Sequence, residues 1–284
     1  MSEASPTRHL KLDGLELDVD DLGEAKGLPL VMLHGFTGHR DDFELERDRL
    51  ATWTRVIIPD LRGHGGAKHG GAPDDHEFEQ AVEDLVQVLD ALDVPRCHLL
   101  GHSMGGMIAL RFTLAHPERV ASLILMDTSP HKPGGMQAES MLKAGQIALA
   151  KGMSRLQQLM EKRTREGGAD DPADAHVERW ADRYWPHMKK RYDAMDPNAY
   201  MGFGQAMAKQ EPLEDRLGEI ACPTHVIVGA DDGPFLAAAD AFETKIFDVR
   251  RSTIPNAGHH PHQENPDAWW QAMEEHWARV HALT

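Results

Sequence analysis

The chain of 284 residues is short of cysteine, of aromatic side chains and of positive charge. Two cysteines, Cys97 and Cys222, cannot build a disulfide framework. Both stand at the start of an apolar, strand-like run, where reduced core thiols are expected. Lysine and arginine number 30 against 46 aspartates and glutamates, a formal net charge of -16. That excess opposes binding to nucleic-acid phosphates or anionic membranes and favours a soluble protein with a small-molecule partner. No apolar run is long enough to cross a bilayer. Residues 1–7 lack the basic and apolar regions of a signal peptide, so a cytoplasmic location is expected. The length suffices for one large core carrying an insertion.

What is present is a rhythm of strands and helices. Residues 9–21 alternate apolar and polar around Asp13-Gly14, which predicts an antiparallel hairpin with one solvated face. Leu30-Val31-Met32-Leu33, Arg55-Val56-Ile57-Ile58, Leu99-Leu100 with its flanks, residues 120–126 and Val226-Ile227-Val228 are continuous apolar runs, the pattern of strands covered on both faces. Between them, a polar helix is expected from about Asp41 to Ala51, and an amphipathic one over Phe78 to Leu92 with Val82, Leu85, Val86 and Leu89 on one face. A short strand near residues 252–254 and a last helix from about Pro266 to Ala282 complete the series. Strands alternating with helices imply right-handed crossovers and a parallel sheet covered on both sides.

The sharpest local signal is Gly101-His102-Ser103-Met104-Gly105-Gly106, with an apolar strand before it and a helix from Met104 to about His116 after it. Strand, tight turn and helix together read as a nucleophile elbow, in which the serine is pushed out at the apex. Ser103 must take a strained conformation there, and Gly101 and Gly105 leave room where a Cβ would collide. The N-terminal end of the following helix faces any oxyanion formed beside the serine.

A serine hydroxyl needs a base, and the base needs an acid to orient it. Downstream, at predicted strand ends, the chain offers Asp231-Asp232 after Val228-Gly229-Ala230, and His259-His260-Pro261-His262 after Asn256-Ala257-Gly258. Asp127, at the end of the strand after the elbow helix, is a third candidate acid. A zinc site from His259, His260 and His262 lacks supporting carboxylate or cysteine spacing.

Five motifs in order, Leu33-His34-Gly35-Phe36-Thr37-Gly38, Pro59-Asp60-Leu61-Arg62-Gly63-His64-Gly65, the elbow, Gly229-Ala230-Asp231-Asp232 and residues 258–266, give the chain its resemblance to the α/β-hydrolase fold superfamily, in the cap-bearing esterase and lactonase branch. The resemblance implies a mostly parallel eight-stranded sheet flanked by helices, with a core of residues 1–130 and 218–284. It implies Ser103 as nucleophile, His259 as base and Asp232 as acid, with Asp231 and Asp127 the alternatives. The second oxyanion donor, beside the N–H of Met104, falls at Phe36, while His34, Gly35 and Phe36 shape the substrate pocket. His102 is expected to point away from Ser103, and Arg62 to hold its loop through Asp60 or a carbonyl. No cofactor or metal is implied.

Over residues 131–217 strand-like runs cease, and charged helical stretches take over, broken at Gly167-Gly168, Asp171-Pro172 and Asp196-Pro197. These residues are expected as an inserted helical cap. Met136, Met141, Met153, Met160, Met188, Met195, Met201 and Met207, with Trp180, Tyr184, Trp185 and Tyr192, supply flexible apolar surface for a ligand or simply join cap to core. An exposed pair of cap helices leaves room for a homodimer. The expected reaction is hydrolysis of a small ester or lactone. A carbon–carbon bond hydrolase, or a lyase resembling the menaquinone-pathway synthase, is the alternative, and a non-catalytic receptor the third. Against the lyase, Met107 stands where that synthase commonly carries arginine.

Overall fold

The computed structural model describes residues 7–67, 71–166 and 181–282. Eight strands form one sheet: β1 (Thr7–Leu12), β2 (Leu15–Leu22), β3 (Leu30–Leu33), β4 (Val56–Pro59), β5 (Cys97–His102), β6 (Val120–Met126), β7 (Thr224–Gly229) and β8 (Val249–Ile254). Their order is β1-β2-β4-β3-β5-β6-β7-β8. β1, β2 and β4 pair antiparallel, and every pairing from β4 to β8 is parallel. The architecture is thus the mostly parallel, helix-flanked sheet that the sequence predicts.

The central strands are apolar at consecutive positions because each face buries a different set. Val31, Leu33, Leu99, Leu123, Leu125, Val226 and Val228 enter the core that includes the helices Phe78–Ala91 and Met104–Ala115. Their neighbours Leu30, Met32, Leu100, Ile124, Met126 and Ile227 enter the core around Trp269 of the helix Pro266–Ala282. A period of two along each strand divides the residues between the layers. The parallel strands deliver their following loops to one sheet edge, where ligands of such sheets bind.

Two expectations need correction. The stretch 41–51 is not one helix but a 3-10 turn, Arg40–Phe43, and a single α turn, Arg47–Leu50. The His39 ring accepts from the Asp41 N–H and the Asp42 carboxylate from the His39 N–H, so side chains take the place of helical carbonyl partners. Arg62 does not bind Asp60. It forms a buried two-pronged pair with Asp84 (2.6 and 2.5 Å) on the helix Phe78–Ala91, whereas Asp60 accepts from the backbone and guanidinium of Arg40.

Between β6 and β7 lies an insertion of helices, Ala138–Lys151, Met153–Arg165, Ala181–Asp193 and Pro197–Lys209. The last starts at an Asp196 cap, whose carboxylate accepts from the Asn198 N–H at 2.8 Å, with Pro197 in the first turn. Most of the methionines of this region pack rather than line open surface. Met153, Met195, Met201 and Met207 are buried, and Met160 is exposed on the outside. Gly167-Gly168, Asp171-Pro172 and Trp180 lie outside the described residues.

Candidate active site

The turn after β5 carries Ser103 with φ 53° and ψ -119°, a left-handed conformation that a non-glycine residue adopts only under constraint. The constraint is packing. A Cβ on Gly105 would lie 2.4 Å from the Leu33 carbonyl oxygen, and one on Gly101 would lie 2.4 Å from that of Gly105. The Ser103 carbonyl accepts from the N–H of Gly106 and of Met107 and from the Thr128 hydroxyl, which anchors the turn to the helix and to the end of β6. The serine is largely buried, at 9% exposed.

His259 arrives from the loop after β8 and Asp232 from the turn after β7. Ser103 Oγ lies 2.9 Å from His259 Nε2, and His259 Nδ1 lies 2.7 Å from Asp232 Oδ2. The imidazole therefore donates from Nδ1 to the carboxylate and accepts at Nε2 from the serine. Three residues scattered over 156 positions of chain meet in one hydrogen-bonded line. Asp231, the neighbouring acid, is exposed and has no part in that line.

Several groups hold the imidazole, and the sequence pointed to few of them. The Phe235 ring stacks on it with centroids 4.8 Å apart and planes 30° apart. The His102 ring lies 4.9 Å from it and donates through Nε2 to the His259 carbonyl at 2.7 Å. His102 thus points away from the serine hydroxyl but is fastened beneath the histidine loop. Glu264 accepts from the N–H of Gly258 and of His260, clamping the loop on both sides of His259. His260 and His262 are held neutral by burial, and His262 donates to the Asp42 carbonyl at 3.2 Å.

Asp127, at the end of β6, is a second buried carboxyl beside the first. Its Oδ1 accepts from the Gly229 N–H at 2.9 Å, and its backbone is left-handed at φ 43°. Burial and the adjacent Asp232 push its carboxyl well above the usual carboxylate range, so it keeps its proton. That proton lets the otherwise unpartnered, buried Oδ2 hydrogen-bond to Asp232. Ligand atoms of Asp127, Asp232 and His259 lie within 4.8 Å of one another, near enough to share a cation, and the proton on Asp127 is what relieves the two crowded carboxyls here.

The loop after β3 faces the elbow. A Cβ on Gly35 would stand 3.1 Å from Ser103 Cβ and 3.2 Å from His102 Nδ1, which only glycine leaves comfortable. Among the described residues, the N–H groups of Phe36 and Met104 donate to no protein acceptor, as an oxyanion site requires of its donors. His34 is fully buried. Its Nε2 accepts from the Leu61 N–H at 3.0 Å and its Nδ1 donates to the Gly35 carbonyl at 2.9 Å, and burial lowers its pKa to about 4. It is a rigid link between two loops, with both ring nitrogens already engaged. The Phe36 ring packs on Tyr200 of the insertion (4.9 Å), and Met141 and Gly204 close in beside it, giving this loop an apolar wall.

A family model described as the alpha/beta hydrolase fold matches residues 29–266. The chain belongs to that family. Within it, the chain is 28% identical over 269 residues to a putative 2-succinyl-6-hydroxy-2,4-cyclohexadiene-1-carboxylate synthase of Bacillus subtilis, covering 93% of this chain and 95% of the relative. It is 30% identical to a pimeloyl-[acyl-carrier protein] methyl ester esterase of Nitrosospira multiformis, covering 89% and 95%. Among solved structures, a thermophilic esterase from Thermogutta terrifontis superposes with a TM-score of 0.82 at 26% identity, covering 96% of this chain and 99% of that one. This α/β-hydrolase-fold enzyme therefore has relatives named for different reactions, and the substrate must be argued from its own residues. No helix among the described residues is long and apolar enough to cross a membrane.

Proposed function

We propose that the protein is a serine hydrolase that cleaves a small carboxylic ester or lactone through an acyl-enzyme. The observation that carries the reading is the continuous line from Ser103 Oγ through the His259 ring to Asp232 Oδ2. Ser103 Oγ adds to the substrate carbonyl carbon as its proton passes to His259 Nε2. The Phe36 and Met104 N–H groups stabilise the oxyanion, each worth about 10²–10³ in kcat. Collapse of the tetrahedral intermediate breaks the bond to the leaving alkoxide, which takes the proton from Nε2. Water then attacks the acyl-serine, giving its proton to Nε2, and the serine is regenerated with release of the acid. Asp232 stays ionised throughout and stabilises the imidazolium. The helical insertion acts as the cap, with Phe36, Tyr200 and Met141 fitting an apolar acyl group of modest size.

The reading is tested with p-nitrophenyl esters and lactones graded by chain length, alongside Ser103→Ala. The variant should lose on the order of 10⁶-fold in turnover, and a fluorophosphonate should add its mass to Ser103 of the parent alone. Undiminished hydrolysis by the variant removes the assignment.

The similarity to the named synthase supports a second reading, a carbon–carbon bond lyase or hydrolase using the same three side chains. Its anionic substrate would want a cation where Met107 stands, and Met107 is fully buried. Assaying both substrate classes with one preparation separates the two.

A further inference from the structure

The loop carrying the Phe36 N–H is held from two sides that belong to different parts of the chain. On the core side, the Gly35 carbonyl, which shares a peptide plane with that N–H, accepts from His34 Nδ1 and from the Gly38 N–H, both at 2.9 Å. On the other side the next two carbonyls reach into the insertion. Arg191, on the helix Ala181–Asp193, donates from Nε to the Thr37 carbonyl at 2.8 Å and from Nη2 to the Phe36 carbonyl at 3.4 Å. Thr37 has φ 57°, an unfavourable value for a β-branched residue, so the loop needs outside support to keep this course. The same helix supplies more of it: the Tyr192 hydroxyl bonds to the Thr37 side chain, and His187 Nε2 lies 2.7 Å from Asp42 Oδ1.

Arg191 is only 4% exposed, and its guanidinium lies 3.5 Å from the Asp42 carboxylate. Charge complementarity extends along the helix, because Lys190 pairs with Asp41 and Arg183 lies 4.0 Å from Glu44. One helix of the insertion thus presents a row of cations to the acidic end of the loop, and a single buried arginine turns that docking into two hydrogen bonds on carbonyls next to the donor.

We propose that Arg191 is a positioning residue for the oxyanion loop: it holds the Phe36 and Thr37 carbonyls so that the Phe36 N–H points at the reacting oxygen, and turnover therefore requires the helix Ala181–Asp193 to be seated. This rests on the serine-hydrolase reading above. Arg191 bonds to the Thr37 and Phe36 carbonyls and to Asp42 rather than to Ser103, so on this proposal its removal acts on the transition state and leaves ground-state binding nearly intact.

The test compares Arg191→Met and Arg191→Lys with Lys190→Met, whose exposed side chain sits on the same helix but bonds to the Asp41 carboxylate rather than to a loop carbonyl. On the best ester found for the parent, Arg191→Met should lose about 10²-fold in kcat, the size expected for one misdirected oxyanion donor, with KM changed by less than about threefold. Arg191→Lys, which keeps the charge facing Asp42 but offers a smaller donor set, should fall between parent and Arg191→Met. Lys190→Met should stay within twofold of the parent, as expected for a surface pair. A trifluoromethyl ketone, whose adduct places an oxyanion between the donors, should bind Arg191→Met more weakly by the same factor as kcat falls. A merely structural arginine would lower the melting temperature without that matched loss. Folded Arg191→Met with kcat within twofold of the parent, or with unchanged ketone affinity, overturns the proposal, and Arg191→Lys decides by the same two readouts if the methionine variant does not fold. Failure of the parent to turn over any ester overturns the hydrolase reading instead.

Discussion

Replacing Asp127 by asparagine separates the two buried acids beside His259. Asparagine keeps the shape, can accept from the Gly229 N–H as Oδ1 does, and can donate to Asp232 where the protonated carboxyl does. It removes only the titratable proton. Because burial and Asp232 raise the Asp127 pKa in the folded protein, the native state holds a proton that the unfolded chain releases above its ordinary value near 3.8. The sign follows from linkage: where the native state binds more protons, stability is fully present below the unfolded pKa and falls as pH rises, until the folded pKa is passed. The slope for one proton is about 1.4 kcal/mol per pH unit. Asp127→Asn should therefore gain on the parent as pH rises from about 5, at a limiting rate of about 1.4 kcal/mol per pH unit. Urea unfolding of both proteins at pH 5, 6 and 7 gives the difference directly. In the same preparation Asp127→Asn should stay within severalfold of the parent in kcat. Asp232→Asn should lose on the order of 10⁴, because the amide cannot hold the imidazole in its working tautomer. A stability difference that does not change with pH, or an Asp127→Asn loss as large as that of Asp232→Asn, would refute the assignment of the proton to Asp127.

Arg62→Met should destabilise by about 3–5 kcal/mol, because it leaves the Asp84 carboxylate buried without its partner; thermal unfolding reads this, and Arg62→Met/Asp84→Leu should recover much of the loss. Acid should unfold the protein cooperatively. His34, His98, His225 and His262 are lowered to about 4 by burial, so the unfolded chain binds protons below its ordinary histidine pKa that the folded one refuses. Stability from these groups is present above pH 6.5 and lost toward pH 4, and proton uptake on unfolding at pH 5 should be several per molecule; uptake near zero would contradict it.

Much of the fold was legible because its signals are local. Continuous apolar runs marked β3 to β7, the hairpin turn marked β1 and β2, and helical spacing marked Phe78–Ala91 within one residue of its observed end. The elbow was legible for a steric reason, since Gly101 and Gly105 stand where any Cβ would strike backbone. The stretch 41–51 misled because its helix-compatible polarity serves another purpose. Asp41 and Asp42 face Lys190, His187 and Arg191, partners some 150 positions away that no local pattern announces.

The histidines make the same point about the site. The sequence has 18 of them, several in motifs, and residue type alone cannot say which one titrates for function and which are struts. What separates them is the number of ring nitrogens already committed. His34 spends both on backbone, and His102 spends one on the His259 carbonyl while its other is sealed from solvent. His259 spends Nδ1 on a carboxylate and keeps Nε2 for a hydroxyl at the sheet edge. A histidine that bridges two backbone groups holds loops at fixed distance and must stay neutral to do so. One that bridges a carboxylate and a hydroxyl gains from protonation at the moment the hydroxyl gives up its proton. The difference lies in the acceptor that each ring meets, which depends on strands β7 and β8 closing beside β5 and so exists only after folding.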